Sequence, residues 1–330
     1  MTRNVKVPRA VRSVENAKRV HYNARVAITR FFGHLVLALL LTGGACEKKK
    51  PNDTGAVSAM DRAGSGSATV GRVDSSPMKG IDLSKLDGDK QKLFFSLVSS
   101  LKSPCGKTHS LRTSYEQDTA CKRAPFAVKY VAALIEDEGK EADIRDFFTS
   151  KYEKTNTEKL KFDVTKAPRI GNADAPVRLV EFFDYECPHC QLFSPVITKV
   201  EEKEAGKVVV YYMMFPIESK HPDARSAAMA VLAANAQGKF KQMHEMLFAR
   251  SPQHGKESVT AFAKEIGLDT AKFEADYAAA DKAVTADLAQ GEAAGVDSTP
   301  TLFFNDRRYE GPMNSEYISM WIEEELAVNR

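Results

Sequence analysis

The stretch Val180-Glu181-Phe182-Phe183-Asp184-Tyr185-Glu186-Cys187-Pro188-His189-Cys190 constrains this chain more than any other. It opens on apolar, β-branched and aromatic residues, the composition of a buried strand. The run stops at Cys187-Pro188-His189-Cys190, and Gln191 to Glu204 then carries apolar side chains at roughly helical spacing, interrupted by Pro195. A strand, a C-x-x-C and a helix in that order put the first cysteine at a helix N-terminus. Unpaired backbone N–H groups and the helix dipole stabilise a thiolate there. The second cysteine lies about one turn further on, within reach of a disulfide. The arrangement suits thiol–disulfide exchange.

Two neighbours of the pair carry chemistry of their own. His189, as a cation near Cys187, would favour the thiolate and so stabilise the reduced form. On a strand, Val177, Leu179, Glu181 and Phe183 share one face, which sets Glu181 among apolar side chains. Desolvation there raises a carboxyl pKa and lets it pass a proton to or from a buried second thiol. The alternative is a strand-edge glutamate turned to water. Pro195 removes one helical hydrogen bond and is expected to kink its helix.

The N-terminus reads as an export signal over residues 1–46. Residues 1–30 are basic and almost free of acids, Phe31 to Leu41 is mostly apolar, and Thr42-Gly43-Gly44-Ala45 is small. The apolar stretch is short for a transmembrane span. Gly43-Gly44-Ala45-Cys46 resembles the lipobox of bacterial lipoproteins, which implies a lipid on Cys46 and anchoring by acyl chains. A plain cleaved signal and a short retained anchor are the alternatives. All three place the rest of the chain outside the cytoplasm, where disulfides persist. The formal net charge is +3, with much of the positive excess in the first 30 residues, so nothing points to nucleic acid.

Residues 47–80 read as linker, with Lys48-Lys49-Lys50-Pro51 and Gly64-Ser65-Gly66-Ser67 and little to form a core. Residues 81–156 read as a small helical domain of three helices. The first carries Leu93, Phe94, Leu97 and Leu101; the second starts near Thr119 or Ala120 and stops at Gly139; the third covers Ala142 to Tyr152. The chain has five cysteines, and Cys105 and Cys121 fall here. A structural disulfide is expected between them, contributing roughly 3 kcal/mol by the chain-entropy argument. A second redox pair is an alternative, and zinc, with His109 alone as a nearby nitrogen ligand, is a third.

Residues 163–330 form the remaining domain. Val208 to Phe215 reads as a central strand, and Pro222 to Gly291 as helical, punctuated by Gly238, Gly255 and Gly267. Met243, Met246, Leu247 and Phe248 read as core. His221, His244 and His254 show no metal-ligand spacing. Thr301 to Phe304 is a strand, Asn305-Asp306 a turn, Arg307 to Tyr309 a returning strand, and Ser315 to Val328 a closing helix.

Glu181 through Cys190, Pro195, the helical insertion and Thr299-Pro300-Thr301 together resemble the DsbA-type branch of the thioredoxin superfamily, over Ala167 to Arg330. The resemblance implies an α/β fold: a thioredoxin fold with a helical insertion, here preceded by a small all-α domain. It implies that Cys187 is the exposed nucleophile that forms the mixed disulfide and Cys190 the buried resolving thiol. Pro188 and His189 are then the intervening pair of the redox motif, and Glu181 is the buried acid. Pro300 becomes a cis proline beside the pair, with Thr299 offering backbone hydrogen bonds to substrate. It implies no metal and no organic cofactor. The implied partners are exported proteins with free thiols and a membrane protein that re-oxidises the pair. An extracytoplasmic, periplasmic oxidase is the leading expectation. A reductase or isomerase is the alternative, and a non-catalytic lipoprotein interaction module the third.

Overall fold

In the computed structural model, which describes residues 73–154 and 160–329, the chain builds a five-stranded sheet. The strands are β1 (Arg169–Ile170), β2 (Val177–Phe183), β3 (Val208–Met214), β4 (Thr301–Phe304) and β5 (Arg307–Arg308), in the order β1-β3-β2-β4-β5. β2 runs parallel to β3 and antiparallel to β4. The parallel pair needs a crossover, which is α5 (Pro188–Lys203). Every residue of β3 is buried, the mark of a strand covered on both faces. One face presents Leu179, Phe183, Val210 and Tyr212, the other Val180, Phe182, Val209 and Met213. Asn305 and Asp306 close the β4–β5 hairpin with φ of 45° and 72°, the left-handed conformation that two-residue hairpins demand.

Between β3 and β4 stand α6 (Ala224–Ala236), α7 (Phe240–Ala249), α8 (Lys256–Glu265) and α9 (Thr270–Ala293). Ala227, Ala230, Ala233 and Ala234 of α6 are fully buried, small enough to let the helix lie close against its neighbours. Gly238 and Gly267, at φ of 70° and 73°, end α6 and α8 in the left-handed cap that glycine adopts without strain. The closing helix α10 (Ser315–Val328) starts where Asn314 Oδ1 accepts the N–H groups of Glu316 and Tyr317.

The N-terminal region differs in detail from the three-helix expectation. It comprises α1 (Gly88–Ser100), α2 (Leu111–Glu116), α3 (Ala124–Glu136) and α4 (Glu141–Thr149), which runs into a π-type turn over Ser150–Lys154. The six-residue α2 is too short to show a helical period and depends on its cap, where Ser110 Oγ accepts from Thr113 N–H. α3 begins at Ala124 rather than near Thr119. Pro125, lacking an N–H, belongs in a first turn, and Cys121 is tied to Cys105 by a disulfide with a Cα–Cα separation of 5.8 Å. The disulfide therefore encloses a helix as well as a loop. The export signal, Cys46 and residues 47–72 of the expected linker lie outside the described residues. Its last residues are docked. Arg112 donates to the backbone carbonyls of Asp74 (2.7 Å) and Ser76 (3.0 Å), and Met78 is buried.

All described residues fall in one compact unit, and α10 explains why. Its Ile318, Trp321 and Ile322 pack under the sheet, while its Tyr317 belongs to the core of α1, α3 and α4. Between these two cores lies a buried set of charges. Glu324 accepts from Lys151 Nζ (2.8 Å), Arg123 Nη1 (2.6 Å) and the Tyr152 hydroxyl (2.9 Å), and the neighbouring Glu325 pairs with Arg307. Lys151, only 2 % exposed, also sits 3.7 Å from the centre of the Trp321 ring. Burial acts to raise the Glu324 pKa, but Lys151 and Arg123 outweigh it and hold the carboxyl below its usual range. Burial lowers the pKa of Lys151.

Candidate active site

β2 ends at Phe183, the backbone turns through Asp184–Glu186, and Cys187 caps α5 with φ −72° and ψ 120°. Pro188 is the first helical residue, where a missing N–H costs nothing. Pro188 and His189 are exposed, Cys190 is buried, and both cysteines are free thiols. Cys187 is less open than expected: it is 5 % exposed, with the Thr299 carbonyl against its sulfur. The Thr299–Pro300 bond is cis. In its protonated form Cys187 Sγ donates to the Thr299 carbonyl at 3.4 Å, while the backbone N–H of Asp184 donates to Cys190 Sγ at 3.5 Å. The structure thus brings Cys187, Cys190, Thr299 and Pro300 together across more than a hundred residues of sequence.

The two thiols are pushed in opposite directions. A hydrogen bond from the Cys190 thiol pulls Cys187 down, against the effect of burial. The Thr299 side chain and the backbone N–H groups of Cys190 and His189 add to it, and the result is a pKa of about 4. Burial pushes Cys190 well above the ordinary thiol range, and its bond to Cys187 adds to that. The groups that lower Cys187 are thus the second thiol, Thr299 and the start of the helix. His189 contributes among them through its backbone N–H, with its side chain exposed.

Glu181 lies on the face that period two assigns to it, opposite Tyr212 on β3 and Leu302 on β4. It is 3 % exposed, and its Oε2 has no hydrogen-bond partner. Desolvation, with a contribution from the nearby Glu201 carboxylate, pushes its pKa to about 8. The Tyr185 hydroxyl is raised by burial, with Glu181 and Cys190 adding to the shift, which sets all three in one neighbourhood. Glu201 in turn accepts from the Tyr212 hydroxyl.

The sign of the effect of Glu181 on stability follows. Below the unfolded value of 4.5 both states are protonated and stability is complete. As pH rises towards 8 the unfolded chain ionises and the native carboxyl does not, so stability is lost. Glu181→Gln is therefore expected to match the parent at pH 4.5 and exceed it by about 3 kcal/mol at pH 7, in urea melts at the two pH values.

Sequence reasoning missed the groups that hold the turn before Cys187. Asp184 accepts from the N–H groups of Glu186 (2.8 Å) and Ile217 (2.8 Å) and pairs with His221 Nδ1 (2.7 Å). Glu186 faces His254, whose Nδ1 lies 3.4 Å away and whose Nε2 donates to the Leu247 carbonyl at 2.8 Å. The Tyr185 hydroxyl meets His244 Nδ1 at 2.9 Å, and Ser251 Oγ donates to the Tyr185 carbonyl at 3.1 Å. His244 and His254 thus face residues of the turn from the helical insertion, and His221 does so from the loop that leads into it. Burial, with the charge of Lys241, lowers His244 to a pKa of about 3, so it serves as a neutral partner. Their spacing carries no signal, since only the fold brings them to the turn. Among the described residues no group of His, Cys, Asp and Glu is arranged to hold a metal ion. No helix among them is long and apolar enough to cross a membrane.

Residues 163–324 match the thioredoxin family model. Over 149 residues, 44 % of the chain, the sequence is 36 % identical to the Na(+)/H(+) antiporter NhaA 1 of Mycobacterium sp. (strain KMS). That stretch is 24 % of the antiporter, so the chain spans about a quarter of the length of the curated relatives it matches. Among solved structures, oxidised BdbD from Bacillus subtilis aligns with 51 % of this chain and 97 % of its own, at 24 % identity and a TM-score of 0.46. A thioredoxin-like oxidoreductase from Silicibacter pomeroyi DSS-3 aligns with 48 % of this chain and 91 % of its own, at 30 % identity and a TM-score of 0.43. The sheet order, the C-x-x-C at the head of α5 and the family match over residues 163–324 together make this part of the chain a member of the thioredoxin superfamily.

Proposed function

We propose that this chain is a protein thiol–disulfide oxidoreductase that introduces disulfides into exported proteins. The observation that carries the reading is the opposed pair of thiols, with Cys187 held at a pKa of about 4 beside a Cys190 raised above the ordinary range. In the oxidised form a substrate thiolate attacks Cys187 Sγ, forming a mixed disulfide and breaking the Cys187–Cys190 bond. Cys190 leaves as the thiolate and takes up a proton, for which neutral Glu181 is the nearby source. A second substrate thiolate then attacks the substrate's sulfur in the mixed disulfide, and Cys187 departs. The substrate has lost two electrons and the pair has gained them.

A low pKa makes Cys187 a good leaving group and stabilises the reduced protein, which makes the disulfide oxidising. Measured on the full chain, with peptide mapping to separate this pair from Cys105–Cys121, the potential is expected towards about −120 mV. A value near −270 mV would identify a reductase instead. Regeneration then falls to a membrane protein able to withdraw two electrons.

The same proposal places the chain on the outer side of the cytoplasmic membrane, held by a lipid on Cys46. The basic, apolar and small-residue segments before that cysteine support it. Radiolabelled palmitate is expected to enter the parent chain, and a label retained in Cys46→Ser would remove the anchor from the reading.

A further inference from the structure

The segment next to Cys187 also lines a cleft. Pro300, Leu302, Tyr309 and Met313 line a cavity of about 310 Å³ together with the charged Arg308 and Glu310, and Asp146, Phe147 and Ser150, at the end of α4, form a wall of it. That wall comes from the N-terminal helical region, outside the residues that match the thioredoxin family. We propose that this cleft receives an apolar side chain of the polypeptide exchanging disulfides at Cys187, so that the helical region is a specificity element of the redox site. The inference rests on the thiol-exchange reading above.

Three observations converge on it. The first is continuity: the Thr299 carbonyl is 3.4 Å from Cys187 Sγ, and Pro300, the next residue, lines the cleft. An extended segment advances about 3.3 Å per residue, so a chain joined to Cys187 reaches past Pro300 within two or three positions of its cysteine. The second is surface character. Met313 is 40 % exposed, one of three large apolar residues so exposed among the described residues, and it lines the same cavity as the half-buried Phe147. The third is rigidity. The turn that follows α4 carries Lys151 and Tyr152, both bonded to the buried Glu324 of α10, so the wall is fixed before any substrate arrives. A fixed wall loses little entropy on binding.

The test uses the full chain with Cys190→Ser, which cannot resolve a mixed disulfide. It is offered a peptide whose single cysteine is joined to 5-thio-2-nitrobenzoate. The Cys187 thiolate attacks the peptide sulfur, a Cys187–peptide disulfide forms, the peptide–nitrobenzoate S–S bond breaks, and the coloured thiolate leaves. With leucine two residues from the peptide cysteine, release is expected roughly tenfold faster than with serine, the ratio that burial of one such side chain gives. With benzoylphenylalanine at that position, irradiation is expected to label residues 146–150. Equal rates for leucine and serine, or label confined to other residues, overturns the cleft while leaving the exchange chemistry standing. If no coloured thiolate is released at all, the exchange reading fails and the cleft proposal falls with it.

Discussion

Replacing Cys187 by serine is expected to reduce dithiol oxidation to the uncatalysed background, with the fold intact. The side chain is nearly isosteric, its hydroxyl can still donate to the Thr299 carbonyl, and no disulfide is lost, since Cys187 is a free thiol in this state. What disappears is the thiolate that takes the substrate's sulfur in the proposed exchange. The reduced parent sharpens the expectation. A thiol of ordinary pKa, about 8.5, is roughly 3 % ionised at pH 7. With a pKa of about 4, Cys187 is almost wholly thiolate at that pH. Alkylation by iodoacetamide should be half-maximal near pH 4 and level above pH 6, with a single modified site at Cys187. Cys190 should stay silent there, its pKa being raised by burial. A profile rising through pH 8 to 9 would mean that the helix start and the second thiol do not stabilise the Cys187 thiolate, and the oxidase reading would lose its driving force. The linkage sign agrees: the reduced fold gains stability as pH rises above about 4, until the unfolded thiol also ionises.

The largest effect on stability is expected at Glu324, far from the thiols. Glu324→Ala leaves Lys151, 2 % exposed, and Arg123 without the carboxylate that bridges them. Removing one partner of a buried pair costs about 3–5 kcal/mol, because the remaining charge stays desolvated. In a chain of this size that lowers the melting temperature by about 10 °C. The double variant Lys151→Met/Glu324→Leu should recover part of the loss, since replacing both partners by apolar side chains removes the desolvation along with the attraction. A loss below about 1 kcal/mol for Glu324→Ala would place the cluster with exposed ion pairs and deny it a role in joining the two cores. The parent should also weaken in acid. Glu324 is held below the usual carboxylate range, so its contribution is complete above the ordinary value of 4.5 and fades as pH falls through the lowered one.

How far these features are legible in the sequence depends on the range of the interaction. β2, α5 and α10 are local patterns: an apolar run, a proline at a helix start, an Asn cap followed by apolar residues at helical spacing. The burial of Glu181 is legible as well, because period two alone assigns its face. Thr299 and Pro300 become legible as part of the site through a resemblance, not through anything in their own neighbourhood. The rest depends on distant partners. His221, His244 and His254 meet the turn at Asp184–Glu186 from 37 to 68 residues away, and Arg123 meets Glu324 across 201. Lys151, next to a helix end, carries every sign of a solvated cation until the fold buries it. The six-residue α2 escapes for the opposite reason, being too short for any period to emerge.

The double allegiance of α10 has a consequence for how the chain is made. Synthesis delivers α1 to α4 first, and regions ordinarily begin to fold as they emerge. Tyr317, a member of that helical core, and Glu324, the counter-charge for Arg123 and Lys151, lie about 170 residues further along, in α10. Until then the early helices lack the Glu324 carboxylate and one piece of their apolar core. The helical region is therefore expected to complete its core only once α10 has been made. A stop codon placed just before Ser315 should yield a product cleared by proteases from both of its ends, the early helices included.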